Sequence, residues 1–408
     1  MHNQPHPPPH ANLDMRAAKI GETEQFLDVF AAAFRLNRDA ARPLFYRDPF
    51  FDLKYKRICA VDGSPSIVSC LTVVPTDLRV GAAVVPMAGI AGVATRPDSR
   101  RQGYAGALLA DTVRKSASEL GCPLTGLFPA DPDYYARFGF AFAGNSTIWT
   151  AARRDLPPQD GGGCRTVDIQ RAVDLDAVAD VHETSTATRT GACRRGQRRW
   201  RVIHEMYQGR QTIAIDGDGA IAGYLHVERD AVRNTAVVHE MHALTEPAVQ
   251  ALVGYLAALD DVDTVEWDTC VEDLEFFGLA HLGSTETKPD FMLRIADLPA
   301  ALSTAHKANY ASAVANESLT IMARDAVNPE NEAPVTIDRT GVKVGVAGVS
   351  MHALGADIAT IAQLYIGYIS VSEAHASGAL HVSDKKSIAL AERLFPVRNP
   401  QMPALDRF

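Results

Sequence analysis

The chain has 408 residues, and at roughly 150 residues per core that length predicts two or three domains. Its 47% hydrophobic and 22% charged residues exclude a disordered, collagenous or coiled-coil chain. A formal net charge of −9 gives no global support to nucleic-acid backbone binding and suits a cationic substrate better.

Residues 1–14 read as a disordered leader. Met1 to Asn12 is rich in His and Pro and buries too little apolar surface to order itself, although His2, His6 and His10 are possible nickel or copper ligands. No basic segment precedes an apolar core there. The longest apolar stretch, Ala82 to Ala94, contains Pro86 and falls short of the roughly 20 residues of a spanning helix. The expectation is a cytoplasmic protein with no membrane partner. Cysteines 59, 70, 122, 164, 193 and 270 form no C-x-x-C pair, which predicts reduced thiols, no disulfide and no zinc site.

A first α/β unit spans 15–155. Periodicity predicts a helix over Gln25–Phe34, strands over Lys56–Val61, Ser66–Val74, Leu78–Val80 and Val84–Thr95, then a helix over Gly106–Leu120. The run Leu156 to Gly163, with two prolines and three glycines, breaks the chain. A second unit, 164–290, repeats the order: helices Asp174–Thr188 and Arg195–Tyr207, strands Gln211–Ile215, Ile221–Glu228 and Ala236–Leu244, and helix Pro247–Leu259. The turn into that last helix, Thr245-Glu246-Pro247, offers no anion cradle, so this copy reads as non-catalytic. A third unit, 291–408, opens with strand Phe291–Ile295 and a helix from Leu298-Pro299. Strands near Leu319–Ala323 and Pro334–Arg339 and a helix over Asp357–Tyr365 follow.

The densest chemical signal is Val93-Ala94-Thr95-Arg96-Pro97-Asp98-Ser99-Arg100-Arg101-Gln102-Gly103-Tyr104-Ala105-Gly106, feeding at once into a helix. Such a turn offers backbone N–H groups, a helix N-terminus and two arginines to a pyrophosphate. It has neither the Gly-Lys-Ser/Thr of a phosphate-binding loop nor G-x-G-x-x-G. Arg100-x-x-Gly103-x-Ala105 resembles the acetyl-CoA motif of the GCN5-related N-acetyltransferases. That resemblance implies that Val93, Ala94 and Thr95 pair with the pantetheine arm and that Arg100, Arg101, Gln102, Gly103, Tyr104, Ala105 and Gly106 hold the pyrophosphate. Downstream, Tyr135-Ala136-Arg137-Phe138-Gly139-Phe140 resembles the family's Y-x-K/R-x-G-F/Y turn, whose tyrosine protonates the leaving thiolate. A phenol of pKa near 10 is protonated at neutral pH and serves as a general acid. Tyr134 is the neighbour to be separated from it by mutation.

The tandem units, the small third unit, the length and Phe408 together resemble the enhanced-intracellular-survival (Eis) family of aminoglycoside acetyltransferases. The implied fold is α/β (α+β): two tandem acetyltransferase folds, the second degenerate, and a C-terminal sterol-carrier-like domain. The resemblance implies acetyl-CoA as co-substrate, no metal, the Phe408 α-carboxylate as base, a small-molecule amine as acceptor and a hexamer. A carboxylate is a weak base in water, so burial or a bridging water must help it. Implied lining residues of the acceptor pocket are Phe26, Asp28, Phe34, Trp200 and Asp406; Trp200 follows Arg195-Gly196-Gln197-Arg198-Arg199, which resembles the family's R-P-Q-x-x-W helix. The sequence departs from the family at Arg407, where an acid is usual, and this keeps open a protein lysine or other small amine as acceptor. A lipid-binding protein with a relic acetyltransferase is a third reading. The basic run Arg189, Arg194, Arg195, Arg198, Arg199 and Arg201 reads as a solvated or subunit-facing helical surface rather than a nucleic-acid patch. His239-Glu240-Met241-His242 is not H-E-x-x-H, and a strand sends its two histidines to opposite faces.

Overall fold

The computed structural model describes residues 12–47, 51–61, 66–158, 162–169, 175–206, 210–216, 218–314, 316–345 and 351–408; His2, His6 and His10 lie outside them. The two repeats share one 13-stranded sheet. In chain order its strands are β1 (Leu13–Ala17), β2 (Lys56–Val61), β3 (Ile67–Val80), β4 (Ala83–Thr95), β5 (Leu124–Leu127), β6 (Ala141–Ala152), β7 (Arg165–Ile169), β8 (Cys193–Arg194), β9 (Arg210–Ile215), β10 (Ile221–Asp230), β11 (Thr235–Ala243), β12 (Thr264–Asp268) and β13 (Ser284–Ile295). Across the sheet they run β1-β2-β3-β4-β5-β13-β6-β12-β11-β10-β9-β7, with β8 paired on β3. A second, 5-stranded sheet of order β16-β15-β14-β17-β18 uses β14 (Leu319–Arg324), β15 (Val335–Asp338), β16 (Gly341–Val344), β17 (Ala353–Asp357) and β18 (Leu380–Val382).

The helices that position the site are α1 (Thr23–Phe34), α2 (Arg38–Arg47), α3 (Tyr104–Leu120), α4 (Pro132–Ala136), α5 (Leu175–Ser185), α6 (Gln197–Met206) and α7 (Glu246–Ala257). In α3 the apolar residues Leu108, Leu109 and Val113 recur at helical spacing and are buried in one cluster with Leu71, Phe138 and Phe140, so this helix is fixed to the sheet by burial of one face. No helix among the described residues is long and apolar enough to cross a membrane. All six cysteines are free, five of them buried.

Two expectations change. Ser66–Val74 and Leu78–Val80 are one strand, because Pro75 pairs with Ala88 of β4 while β2 covers β3 only from Ile67 to Thr72. The missing N–H of Pro75 therefore faces a side with no ladder to lose. Phe291–Ile295 does not open the third unit; β13 inserts between β5 and β6 as an antiparallel partner of both. An apolar run of five residues tells that a strand is central but not in which sheet it is central. The third unit starts instead at the helix Leu298–Ala305, whose N-cap Asp297 accepts from Ala300 N.

One buried pair ties that unit to the long sheet. Arg294 of β13, with a fully buried side chain, donates to both oxygens of Asp325 at 2.7 and 2.6 Å and to Phe138 O at 2.6 Å. Removing one member leaves an uncompensated buried charge. Asp325→Ala should therefore lower the urea-unfolding free energy by about 3–5 kcal/mol. Asp357→Ala, which breaks the exposed pair with Arg324, should change it by less than about 1 kcal/mol.

Candidate active site

β4 and β5 run parallel, but their ladder covers only Met87–Gly89 against Leu124–Gly126. Beyond Gly89, β4 continues along β3 to Thr95, and its edge towards β5 has no strand partner among the described residues. Near the end of that course Gly92 and Val93 bulge opposite Leu71, between the pairs Thr72–Ala91 and Cys70–Ala94. The bulge turns Val93, Ala94 and Thr95 relative to the first half of the strand. An unpaired strand edge ending in a glycine turn can bind an extended amide chain followed by an anion.

That turn has the required backbone. Arg101 has φ 61° and Gly103, the N-cap of α3, has φ 84°. Gly103 provides no side-chain cap, so first-turn N–H groups of α3 remain available to a phosphate. Arg100, Arg101 and Gln102 are exposed. Arg100 braces the turn through Thr95 O and, at 3.2 Å, Ala33 O. Tyr104 and Gly106 are buried: the ideal Cβ of a residue at 106 would lie 2.8 Å from Phe138 Cζ, which explains the small residues in this turn.

Facing the turn is α4, started by Asp131, whose carboxylate accepts from Tyr134 N at 3.2 Å. Tyr134 and Tyr135 stand edge to face at 5.2 Å. Tyr134 is packed on Phe138 and under the Arg137 guanidinium, and burial pushes its phenol up to about 12. Burial, reinforced by the Asp131 charge, also raises Tyr135. Both phenols thus stay protonated through the neutral range.

The C-terminal segment closes the opening between the strands. The Phe408 ring lies on Gly89, where any Cβ would be 2.6 Å from Cζ, and meets Phe128 at 5.5 Å. Phe128 in turn meets Phe291 at 5.5 Å. Asp406 is buried and held by Arg195 at 2.8 and 3.0 Å. Arg195 also donates to Glu240 at 2.8 Å, so one buried cation lies between two carboxylates. Upstream, Asn145 N donates to Pro400 O at 3.1 Å, and Gln401 Nε2 donates to Asp268 Oδ1 at 2.9 Å. Arg407 reaches Asp268 at 2.6 Å and Asp290 at 3.2 Å. These are ion pairs without a linear N–H···O bond, since Arg407 Nη2 is left unsatisfied. Burial raises the Asp268 carboxyl, and Arg407 opposes the rise.

Of the lining residues read from the sequence, Phe26 and Trp200 are interior packing groups, 1% and 4% exposed. Phe26 stacks on Phe45 and Trp200 lies against Arg195 and His182. Asp406 is occupied by Arg195. Asp28 is at the surface, paired with Arg38, and Phe34 is exposed against Phe30. The basic run is not one solvated face: Arg195 is interior, Arg189 pairs with Asp273 and Arg194 with Asp77. His239 turns outward to Glu228 while His242 turns inward to Glu240 and Ser185, the alternation a strand requires. Residues that sequence reasoning missed are Gly89, Phe128, Asp268, Asp290 and Phe291. Gly89 carried the one usable signal, since glycine inside a strand marks a close approach.

The domains and the fold have counterparts among known proteins. Residues 14–143 and 191–295 each match a family described as Acetyltransferase (GNAT) domain, and 298–403 match a Sterol carrier protein domain. An uncharacterized N-acetyltransferase of Streptomyces griseus is 30% identical over 210 residues, 46% of this chain and 50% of its own. N-acetyltransferase Eis of Mycobacterium tuberculosis is 27% identical over 249 residues, 55% of this chain and 60% of its own. The chain thus spans about half the length of these curated relatives. Among solved structures, a GCN5-related N-acetyltransferase from Kribbella flavida superposes with TM-score 0.82 at 20% identity, covering 98% of this chain and 99% of that one. Eis1 from Mycobacterium abscessus gives 0.75 at 22%, covering 97% and 100%.

The Gly89–Phe408 contact can be tested without a substrate. Gly89→Val overfills the space under the ring at a cost of about 1–3 kcal/mol. Carboxypeptidase A should then release Phe408 roughly tenfold faster, the factor given by about 1.4 kcal/mol of lost tail packing, with far-ultraviolet circular dichroism unchanged. An unchanged cleavage rate would reject the contact.

Proposed function

Since the chain belongs to the Eis-like group of GCN5-related N-acetyltransferases, we propose that it transfers the acetyl group of acetyl-CoA to a primary amine. The observation that carries this reading is the parting of β4 from β5 beside a glycine turn, with Phe408 at the point of parting. The residues present fit the co-substrate. The open edge of Val93, Ala94 and Thr95 suits the amides of a pantetheine arm. The positive-φ turn through Arg101 and Gly103, with Arg100, Gln102, Tyr104, Ala105 and Gly106 around it, suits a pyrophosphate.

In the proposed reaction the acceptor ammonium gives its proton to the α-carboxylate of Phe408, the group assigned by family resemblance. The amine attacks the thioester carbonyl carbon. Backbone N–H groups of Val93 to Thr95 stabilise the oxyanion. The C–S bond breaks as Tyr135 protonates the departing thiolate, and the second proton of the attacking nitrogen leaves as the amide forms, restoring the Tyr135 phenol. No covalent enzyme intermediate forms, so both substrates are bound together.

Aminoglycosides, acetylated at several amines, are the acceptors implied by the resemblance. A second reading is favoured by the arginine pairing. Asp268 and Asp290 are covered by Arg407, and Asp406 by Arg195. A site with its acids already neutralised selects an amine of low charge, such as a lysine side chain or a small monoamine, over a polycation.

Tyr135→Phe should lower kcat by about 10²-fold or more with acetyl-CoA affinity unchanged, while Tyr134→Phe retains turnover. Because burial raises the Tyr135 pKa, the acid form persists to higher pH. The alkaline limb of kcat should therefore fall only above about 10, the ordinary phenol value. Equal turnover of wild type and Tyr135→Phe in thiol-release assays would refute the assignment. Arg407→Gln should lower KM for kanamycin several-fold relative to a lysine peptide; an unchanged ratio would show that the Arg407 pairs do not set acceptor charge.

A further inference from the structure

The second repeat opens in the same way as the first. β11 and β12 pair in parallel only at Thr235–Val238 against Thr264–Trp267, after which β11 continues along β10 to Ala243 with no strand partner on its β12 side among the described residues. Between the two ends is a cavity of about 430 Å³, lined among others by Glu240, Met241, His242, Trp267, Asp268 and Thr269. The helix that follows, α7, begins with Thr245 as N-cap and carries Glu246 and a proline in its first turn. A negative side chain at that N-terminus disfavours a phosphate. The opening therefore lacks the anion turn of the first repeat.

Two of its lining residues, Glu240 and His242, belong instead to a cluster of metal-binding groups. Glu240 and His242 are two residues apart on β11 and share one face, and α5 brings His182 to meet them. All three are buried. His242 Nε2 lies 3.1 Å from Glu240 Oε1, and His182 Nε2 lies 3.5 Å from the same oxygen. The three donor atoms are within 4.8 Å of one another. Donors about 2.0–2.1 Å from a tetrahedral ion stand about 3.4 Å apart, so the present spacing needs only small side-chain shifts to enclose one.

Two further observations point to a cation rather than to a hydrogen-bond network. A single proton on His242 Nε2 satisfies its contact with Glu240 but leaves His182 Nε2 buried and without a hydrogen-bond partner, which is unfavourable for a polar atom kept from water. The outer contacts also match a ligating set. Ser185 Oγ is 2.9 Å from His242 Nδ1, fixing that ring by its other nitrogen, and Arg195 holds Glu240 by Oε2 at 2.8 Å, leaving Oε1 for the ion. We propose that His182, Glu240 and His242 bind one divalent transition-metal ion of the zinc class. Two imidazoles and a carboxylate form a preferred set for it. The ion joins α5 to β11, and through Arg195 it is one residue removed from Asp406 and the C-terminal segment.

The test uses the full-length protein, stripped with a chelator and carrying His2, His6 and His10 as alanines so that the leader does not contribute. Titration with Zn²⁺ followed calorimetrically, with bound metal counted by elemental analysis, should give about one ion per chain. Co²⁺ at the same site should show the intense visible absorption of a tetrahedral ion. His242→Asn should weaken Zn²⁺ binding by about 100-fold or more, and Ser185→Ala, which touches no metal, by about 10- to 100-fold. Ser185→Ala decides the matter if His242→Asn fails to fold. Absence of saturable binding in the leader-substituted protein would overturn the proposal, as would unchanged affinity in Ser185→Ala. Both outcomes are read from metal binding alone, so they are distinguishable from failure of the acetyl-transfer reading.

Discussion

The parallel ladder between β4 and β5 stops at Gly89, and the rest of the site depends on that interruption. A strand that keeps its partner along its length has no backbone to offer a ligand. Losing the partner after three residue pairs leaves a strand edge at the centre of a sheet, where edges are normally covered. The bulge at Gly92 and Val93 and the positive φ of Arg101 and Gly103 then direct that edge into the first turn of α3.

An opening in a sheet core has to be closed on its far side, and here the chain does so with its own end. Phe408 fits over Gly89 because glycine has no Cβ, and Phe128 and Phe291 complete an aromatic wall. What holds the segment in register is charge. Arg195 between Asp406 and Glu240 is fully enclosed, so losing any partner leaves a charge stranded. Arg407 on Asp268 and Asp290 adds a second anchor. The two anchors reach residues of the second repeat and of β13, which is how a repeat without an anion turn still shapes the site of the first.

The tandem units are halves of one sheet rather than two beads on a linker. β6, the last strand of the first unit, pairs with β12 of the second, and β13 pairs with β5 and β6. The sterol-carrier-like unit is attached through the Arg294–Asp325 pair. Relative motion of the units would break central ladders or a buried ion pair, so the distance between the glycine turn and the C-terminal segment is set rigidly.

The sequence by itself determined the repeats, the glycine turn and the tyrosine turn, because each is local: periodicity, helix starts and glycine positions act within a few residues of where they are read. It also determined that His239 and His242 diverge, since alternation is a property of any strand. Only the tertiary structure decided that β13 belongs to the long sheet, that Arg195 is interior while its neighbour Arg194 is not, and that Trp200 and Phe26 are core. The reason is physical. The partners Arg195–Asp406, Arg407–Asp268 and His182–His242 are 211, 139 and 60 positions apart in the sequence, and an arginine destined for a buried carboxylate carries no local mark that distinguishes it from one destined for water.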